Sequence, residues 1–580
     1  MRSVLALVVT LIACAAAPAA VAGVEYRVEV QAPEELAAPL RGGLGLARWR
    51  EDTDVTPEQL RRLADEAVRE AQALAAAEGY FSAEARVDID ESSTPWRVTL
   101  HLVPGERTSI VEVELRVVGP AADDDEARER IAAMRRGWSL PRGRPFRQED
   151  WESAKHGAAR ALSGWRYAAA RVASSEARID PQAREARLSV VLDSGPPYRY
   201  GALSVVGTQR YAPALVENLS PVRAGEDYDR EQLIVYQRRL AETGYFASVR
   251  AEIDASAPDP AAAPLRVAVI EAPAKQFEAG ITYNTDVRAR LQLRYSDHDI
   301  GDAAWRLRSA LSLDRQIQEV QLDLDSPPRE QGRFNNWFGR VSRKDIQNEL
   351  ARTFTLGVAH NFGTDVAPSA AILSWTLEEQ QAGSAPADTR YAVYLGYRRT
   401  FRRTDEVIAP RSGYFGSIDL GGAPDALASE DFLRLVLEGS MFFPVGRKGD
   451  LALRARAGRV LSDERTGIPT PFLFRTGGDQ TVRGYAFESL GVREGDAIVG
   501  GRRLFVASTE YTYWVGESWG VAAFVDAGNA WDSGEPFEAA LGYGLGARLR
   551  TPIGPARLDV AYGKETDEYR LHVSIGYVFR

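Results

Sequence analysis

The sequence predicts repeated α+β units, each ordered strand, helix, helix, strand, strand (β-α-α-β-β), followed by an all-β transmembrane barrel of about sixteen antiparallel strands. Three observations predict it. A helix-stop motif recurs three times in the first half. Strict apolar/polar alternation takes over in the second half. The N-terminus has the form of an export leader.

Composition sets the outer limits. The chain has 580 residues, 26% charged and 45% hydrophobic, the ordinary globular range rather than that of a disordered chain. Mean hydropathy is -0.28, and past the N-terminus no uncharged apolar run approaches the ~18 residues of a spanning helix. A formal net charge of -10, with no Lys/Arg-rich block, argues against a nucleic-acid partner. Cys14 is the one cysteine, so neither a disulfide framework nor a cysteine-based zinc site is expected. Abundant Gly (50), Tyr (22) and Trp (11) against 3 Met suits a large β protein.

Residues 1–22 read as a signal peptide. Arg2 supplies the positive start, Val4 to Ala13 is apolar, and Ala20-Val21-Ala22 gives an A-x-A cleavage site before Gly23. Leu11-Ile12-Ala13-Cys14 is similar to a lipobox and offers a rival site with lipidation at Cys14. It would leave an unusually short leader, so the A-x-A site fits better.

Residues 23 to about 272 mix helical and strand patterns. Thr56-Pro57-Glu58-Gln59 opens a helix with Leu60, Leu63, Ala67, Ala71 and Leu74 on one face, stopped by a left-handed cap at Gly79. Ala83 to Ile89 and Trp96 to Val103 then alternate as strands. The unit recurs. Gly79-Tyr80-Phe81, Gly164-Trp165-Arg166 and Gly244-Tyr245-Phe246 each end a helix and precede a strand. Spacing this regular signals repeated domains. Short Pro-containing connections, Pro104 to Ile110 and Ser194 to Tyr198, predict a semi-rigid string.

From about Phe277 the period becomes two. Phe277, Ala279, Ile281 and Tyr283 alternate with Glu278, Gly280, Thr282 and Asn284. The chain closes with Leu571, Val573, Ile575, Tyr577 and Phe579 against His572, Ser574, Gly576 and Val578. A sandwich would bury the apolar face on a second sheet, whereas a barrel turns it to lipid and lines the lumen with the charged face. The length favours the barrel: about 300 residues over sixteen strands leaves about 19 per strand with its connection. Aromatics expected near strand ends (Trp305, Trp337, Trp375, Tyr414, Tyr513, Trp514, Trp519) favour it too.

Three motifs carry a resemblance. Phe472-Leu473-Phe474-Arg475-Thr476-Gly477-Gly478-Asp479-Gln480-Thr481-Val482-Arg483-Gly484-Tyr485 resembles the signature of a long loop folded into the barrel of the BamA/TamA outer-membrane assembly superfamily. Phe524-Val525-Asp526-Ala527-Gly528-Asn529 is similar to its Phe-x-Asp-x-Gly strand, and Pro552-Ile553-Gly554-Pro555-Ala556-Arg557-Leu558-Asp559 to its Pro-hydrophobic-Gly-Pro stretch before the penultimate strand. In that family the repeated units are POTRA domains. Three of them point to the TamA branch, and Ala279 to Asp286 resembles the start of a TamA barrel. The expected division is 1–22 leader, 23–107, 108–194 and 195–273 POTRA units, and 274–580 outer-membrane barrel, with the POTRA units in the periplasm.

Strand alternation supplies a candidate site. Val521, Ala523 and Val525 suit lipid, so Phe524 and Asp526 point into the lumen. Ala507, Tyr511 and Tyr513 face out, so Ser508, Glu510 and Thr512 point in. Arg483 is the natural partner of two inward acids, because its planar fork can bridge carboxylates as Lys cannot. Gly484 and Gly477-Gly478 allow tight turns. Arg483, Gly484, Tyr485, Glu510, Phe524, Asp526 and Gly528 therefore form an expected lumen loop lock. The pair could equally be a purely structural fastening of the loop.

A second candidate is backbone rather than side chain. Glycine weakens a strand, and Gly280 and Gly576 lie in the first and last strands. The resemblance implies a lateral gate there, formed by Gly280, Ile281, Tyr283, Ile575, Gly576, Tyr577 and Phe579, where a client strand could add by β-augmentation. It also implies a factor assisting insertion or translocation of autotransporter-type and other outer-membrane proteins, surrounded by outer-membrane lipid, with a TamB-like inner-membrane-anchored partner on the POTRA units. A two-partner-type secretion channel and a phospholipid-transfer conduit are the alternatives. No catalysis, cofactor or metal is expected. The five histidines are scattered, and Asp297-His298-Asp299 reads as a polar extracellular or turn segment.

Overall fold

The computed structural model describes residues 23–50, 54–284, 288–364, 366–406, 410–551 and 554–579. The leader expected over 1–22, with its rival site at Cys14, lies outside the described residues.

Three small three-stranded sheets come first. Tyr26–Gln31 pairs in parallel with Trp96–Val103, which pairs antiparallel with Glu84–Asp90. Ser109–Val118, Glu185–Asp193 and Arg171–Asp180 repeat that arrangement. Tyr200–Val206, Ala263–Glu271 and Phe246–Ile253 form the third sheet in the same order. Each places its latest strand in the middle, and each is packed with helices.

The first of these helices shows why the sequence folds as it does. Pro57–Ala77 opens on a capping box in which the Thr56 side chain accepts from the Gln59 N–H while Gln59 accepts from the Thr56 N–H. It buries Leu60, Ala64, Ala67, Ala71 and Ala75 on one face. Gly79 then turns left-handed at φ +94, and a Cβ there would fall 2.1 Å from the carbonyl oxygen of Phe146. In the second repeat Gly164 stays right-handed and Arg166 takes the positive φ of 57° instead.

By contact the chain forms two compact units. One holds the residues up to Tyr200 with Gly225–Arg230 and Ala255–Ala263; the other holds Gly201–Ala224, Glu231–Asp254 and everything from Pro264. Within the first, the Arg147 guanidinium grips both oxygens of Glu78 at 2.8 and 3.0 Å.

The second unit joins most of the third repeat to the barrel. Tyr245 Oη donates to the Ala304 carbonyl at 2.6 Å, Arg306 Nη1 to the Thr243 carbonyl at 2.7 Å, and Asn218 Nδ2 to the Pro328 carbonyl at 3.1 Å. His298 is buried here, on the strand Arg288–Ile300 against Gly244 and Tyr245. This corrects the expectation of a polar extracellular or turn segment, because the third repeat covers that end of the strand.

Sixteen antiparallel strands close into a barrel, from Lys275–Asn284 to Glu568–Phe579. Alternation divides their side chains between lipid and lumen. Leu322, Leu356, Leu373, Leu435, Val521, Val525 and Leu545 are among those exposed on the outer face. Two expected girdle aromatics differ. Trp375 lies in the middle of Ala367–Ala382, and Trp514 turns inward to donate to Asp450 Oδ2 at 2.6 Å.

The long connection between Gly449–Leu461 and Arg503–Trp514 folds back into the barrel. It carries its own hairpin, Val492–Glu494 with Ala497–Val499. Period-two reading did not single out strands this short. On one side the loop is tied to the turn at Gln347 and Asn348, through the Ile498 N–H to the Gln347 carbonyl (3.0 Å) and Asn348 Nδ2 to the Asp496 carbonyl (3.1 Å). Arg475 adds ion pairs to Glu349 at 3.0 Å and Glu488 at 2.8 Å. A lumen cavity of about 700 Å3 remains beside the loop.

Candidate functional site: the loop lock and the barrel seam

The tip of the loop reaches the wall on the other side. Arg483 donates from Nε to Asp526 Oδ2 at 2.7 Å, from Nη2 to Asp526 Oδ1 at 2.9 Å, and from its backbone N–H to Oδ2 at 3.1 Å. Its Nη1 donates to Glu510 Oε2 at 2.7 Å. The guanidinium carbon lies 3.4 Å from the centroid of the Phe524 ring, a stacked cation–π contact. Arg483, Glu510, Phe524 and Asp526 are thus one cluster, with Asp526 wholly buried at 0% exposure.

Three further partners complete the cluster, of which Arg548 was not singled out in the sequence. Arg548 grips Glu510 with Nε at 3.0 Å and Nη2 at 2.9 Å, and reaches Asp559 Oδ1 with Nη1 at 2.5 Å. Asp559 also accepts from Arg483 Nη1 at 3.4 Å. Ser508 Oγ donates to Asp526 Oδ1 at 2.7 Å. Two guanidiniums therefore interleave with three carboxylates, so each buried charge has an opposite neighbour and hydrogen bonds. A signal did exist for Asp559, which follows the Pro-Ile-Gly-Pro stretch at the inward phase of its strand.

Glycines make room for this cluster. A Cβ on Gly542 would stand 1.8 Å from the Arg483 carbonyl oxygen, and one on Gly546 would stand 1.8 Å from Asp559 Oδ1. Gly484 adopts φ +95, and a Cβ there would meet the backbone of Tyr562 and Gly563 at 2.7–2.8 Å. Gly528 serves the wall instead, letting the Phe505–Val506 backbone approach. Among the described residues no group of three or more His, Cys, Asp or Glu is arranged to hold a metal ion.

The same tip touches the last strands. The Gly484 N–H donates to His572 Nε2 at 3.1 Å. Tyr485 Oη bonds the Glu565 carboxylate and donates to the Leu541 carbonyl at 3.2 Å. Glu565 lies in the turn that leads into Glu568–Phe579.

That last strand pairs with the first from Ala279↔Phe579 to Asn284↔Ser574. The first strand pairs with the second over a longer ladder, from Lys275↔Asp297 to Asn284↔Arg288. Gly280 faces Val578, Ile281 faces Tyr577, Tyr283 faces Ile575, and Gly576 faces Thr282. Ile281 and Tyr283 are 55% and 47% exposed, on the outer face.

Comparison with known proteins agrees with this fold. Residues 273–579 match the model of the Omp85 superfamily domain, and residues 198–271 match a POTRA model described as surface antigen variable number repeat. The chain belongs to the Omp85 superfamily. Over 161 residues it is 32% identical to an outer membrane protein assembly factor BamA of Nitratidesulfovibrio vulgaris, a match covering 26% of this chain and 20% of that relative. The crystal structure of BamA from Haemophilus ducreyi lacking POTRA domains 1–3 is similar in fold, with a TM-score of 0.57 at 14% identity, covering 81% of this chain and 100% of that one. CdiB from Acinetobacter baumannii aligns at a TM-score of 0.46 and 13% identity over 82% of this chain and 91% of its own. The protein is accordingly an outer-membrane β-barrel with a periplasmic POTRA region.

Proposed function

We propose that this chain is a TamA-like assembly factor. In this reading residues 23–107, 108–194 and 195–273 are three POTRA units, the barrel is 274–580, and the seam between first and last strands admits a folding client strand. Clients are outer-membrane proteins, autotransporter-type ones among them, and a TamB-like inner-membrane-anchored protein docks on the POTRA units. The observation that carries the reading is the link between lock and seam. One loop tip holds Asp526 and Glu510 through Arg483 and also hydrogen-bonds His572 on the seam strand through Gly484. Loop position and seam closure are therefore mechanically joined. A client strand would replace the seam ladder with its own backbone hydrogen bonds, and its burial in lipid would drive the step.

Photocrosslinking in cells tests this, with the probe at Tyr283 on the seam and at lumen-facing Arg294 as control. Capture of folding barrel proteins from Tyr283 is the expected result. Capture of one soluble passenger, mainly from Arg294, would instead identify a secretion channel. Silence at both positions, with a lipid-transfer defect on deletion, would identify a lipid conduit.

A further inference from the structure

The outer face of the barrel carries an arrangement that the assembly role does not explain. Arg459, on Gly449–Leu461, stands directly opposite Arg503, on Arg503–Trp514. Arg503 in turn stands opposite Trp531, the last residue of Trp519–Trp531. All three share the phase of Leu453, Phe505 and Val525, which face lipid. Like charges directly opposite on one face are destabilising.

Among the described residues neither guanidinium has an ion-pair partner. Arg503 Nε and Trp531 Nε1 are buried donors with no hydrogen-bond acceptor. The rim offers an internal contrast. Arg343 and Arg352 also stand directly opposite each other. There each has its own carboxylate, Asp345 at 2.9 Å and Glu379 at 2.7 Å. The Arg459–Arg503 pair lacks that compensation.

Its height in the membrane is defined. Trp519 and Trp531 bound one strand, and its 13 residues rise about 30 Å along the membrane normal at the usual barrel tilt, at ~3.3 Å per residue. The Trp519 end lies on the side of the turns that meet the third repeat, so Trp531 marks the outer-leaflet interface. Phe537 packs there on Trp531 at 4.8 Å and on Phe505 at 5.9 Å, as expected of an interfacial girdle.

We propose that Arg459, Arg503 and Trp531 form a binding site for the phosphate of an outer-leaflet lipid headgroup. Two guanidinium forks present donors to a group whose oxygens all accept, and the Trp531 ring flanks them at headgroup level. The acyl chains would lie along the apolar column below, Phe505, Ala507 and Val525. The bound phosphate would neutralise the like-charge pair. It would also fix lipid on the wall that carries Glu510 and Asp526 on its inner side.

Native mass spectrometry of the full-length protein tests the site, with bisphosphorylated lipid A, dephosphorylated lipid A and inorganic phosphate as probes. Wild type should retain the bisphosphorylated lipid, and R459Q/R503Q should retain at least about tenfold less. R343Q, at a paired rim arginine, should match wild type. Equal retention by the double variant, or equal retention of dephosphorylated lipid, would overturn the proposal. Displacement of the lipid by millimolar inorganic phosphate would assign the site to a soluble anion and overturn it too. If the glutamine variant fails to fold, R459K/R503K carries the test. Charge without forks should give intermediate retention, and wild-type retention would overturn the two-fork site.

Discussion

Arg483 and Asp526 are joined by three N–H···O bonds, two from the guanidinium and one from the Arg483 backbone. The backbone bond matters as much as the fork, because it fixes the loop main chain as well as the side chain. The consequence is testable. Arg483→Ala strips Asp526 of its guanidinium partner and leaves Glu510 and Asp559 to Arg548. Removing one partner of a buried ion pair costs about 3–5 kcal/mol, so the loop should detach. Client assembly should fall at least about tenfold, and the folded barrel should lose its resistance to heat on a gel. Arg483→Lys should recover little, because an ammonium cannot span two carboxylates. Full assembly by both variants would show that the lock has no part in turnover.

Gly542 provides a test from the wall side. Its substitution changes no charge and lies outside the loop motif. Yet a Cβ at 1.8 Å from the Arg483 carbonyl leaves no room for the loop backbone. Gly542→Ala should therefore reproduce much of the Arg483→Ala defect, while Gly439→Ala, where an added Cβ meets only the Phe415 carbonyl oxygen at 3.9 Å, should be mild by comparison. Limited proteolysis of the loop reads both. Equal protection of the Gly542→Ala loop and the wild-type loop would contradict the close packing.

How much of this was legible beforehand depends on what each element needs. Period-two alternation suffices to orient single strands, so Phe524, Asp526 and Glu510 could be turned inward from their lipid-facing neighbours. Their pairing with Arg483 followed from charge and the loop motif. Arg548 and Asp559 were harder, because they meet Glu510 and Arg483 across strands that are not neighbours in sequence, and alternation carries no register. Gly542 and Gly546 carry no side chain for alternation to orient. Their purpose, clearance for one loop carbonyl and one carboxylate, exists only in three dimensions. His298 was misread because its composition is that of a turn, while its burial comes from the third repeat.

Glu271 gives the periplasmic region a pH dependence. Burial opposes its charge, but the backbone N–H groups of Gln209, Arg210 and Tyr211 all donate to it, at 2.8, 2.8 and 3.1 Å, and hold its carboxyl below the ordinary range. A carboxylate depressed by folding stabilises above its unfolded pKa, about 4.3, and loses that contribution as pH falls through the folded value. Wild type should thus lose more stability than Glu271→Gln between pH 6 and pH 3. Denaturant unfolding of the full chain at several pH values checks it, and parallel profiles would remove Glu271 as a source.

The seam can be closed chemically, which separates its opening from every other property of the barrel. Ile281 and Tyr577 are register partners on the first and last strands, and cross-strand Cα separations of about 4.5–5.5 Å fall within disulfide reach. The chain's one native cysteine is Cys14, inside the expected leader. Ile281→Cys with Tyr577→Cys should form a bond under oxidation, visible as altered mobility on a non-reducing gel. The oxidised barrel should retain its fold and heat resistance but lose client assembly, and reductant should restore it. The single-cysteine variants should assemble clients normally throughout. If the oxidised double variant assembles clients at the wild-type rate, they do not enter through this seam. The lock would then act on the lumen alone, and the secretion-channel reading would gain what the assembly reading lost.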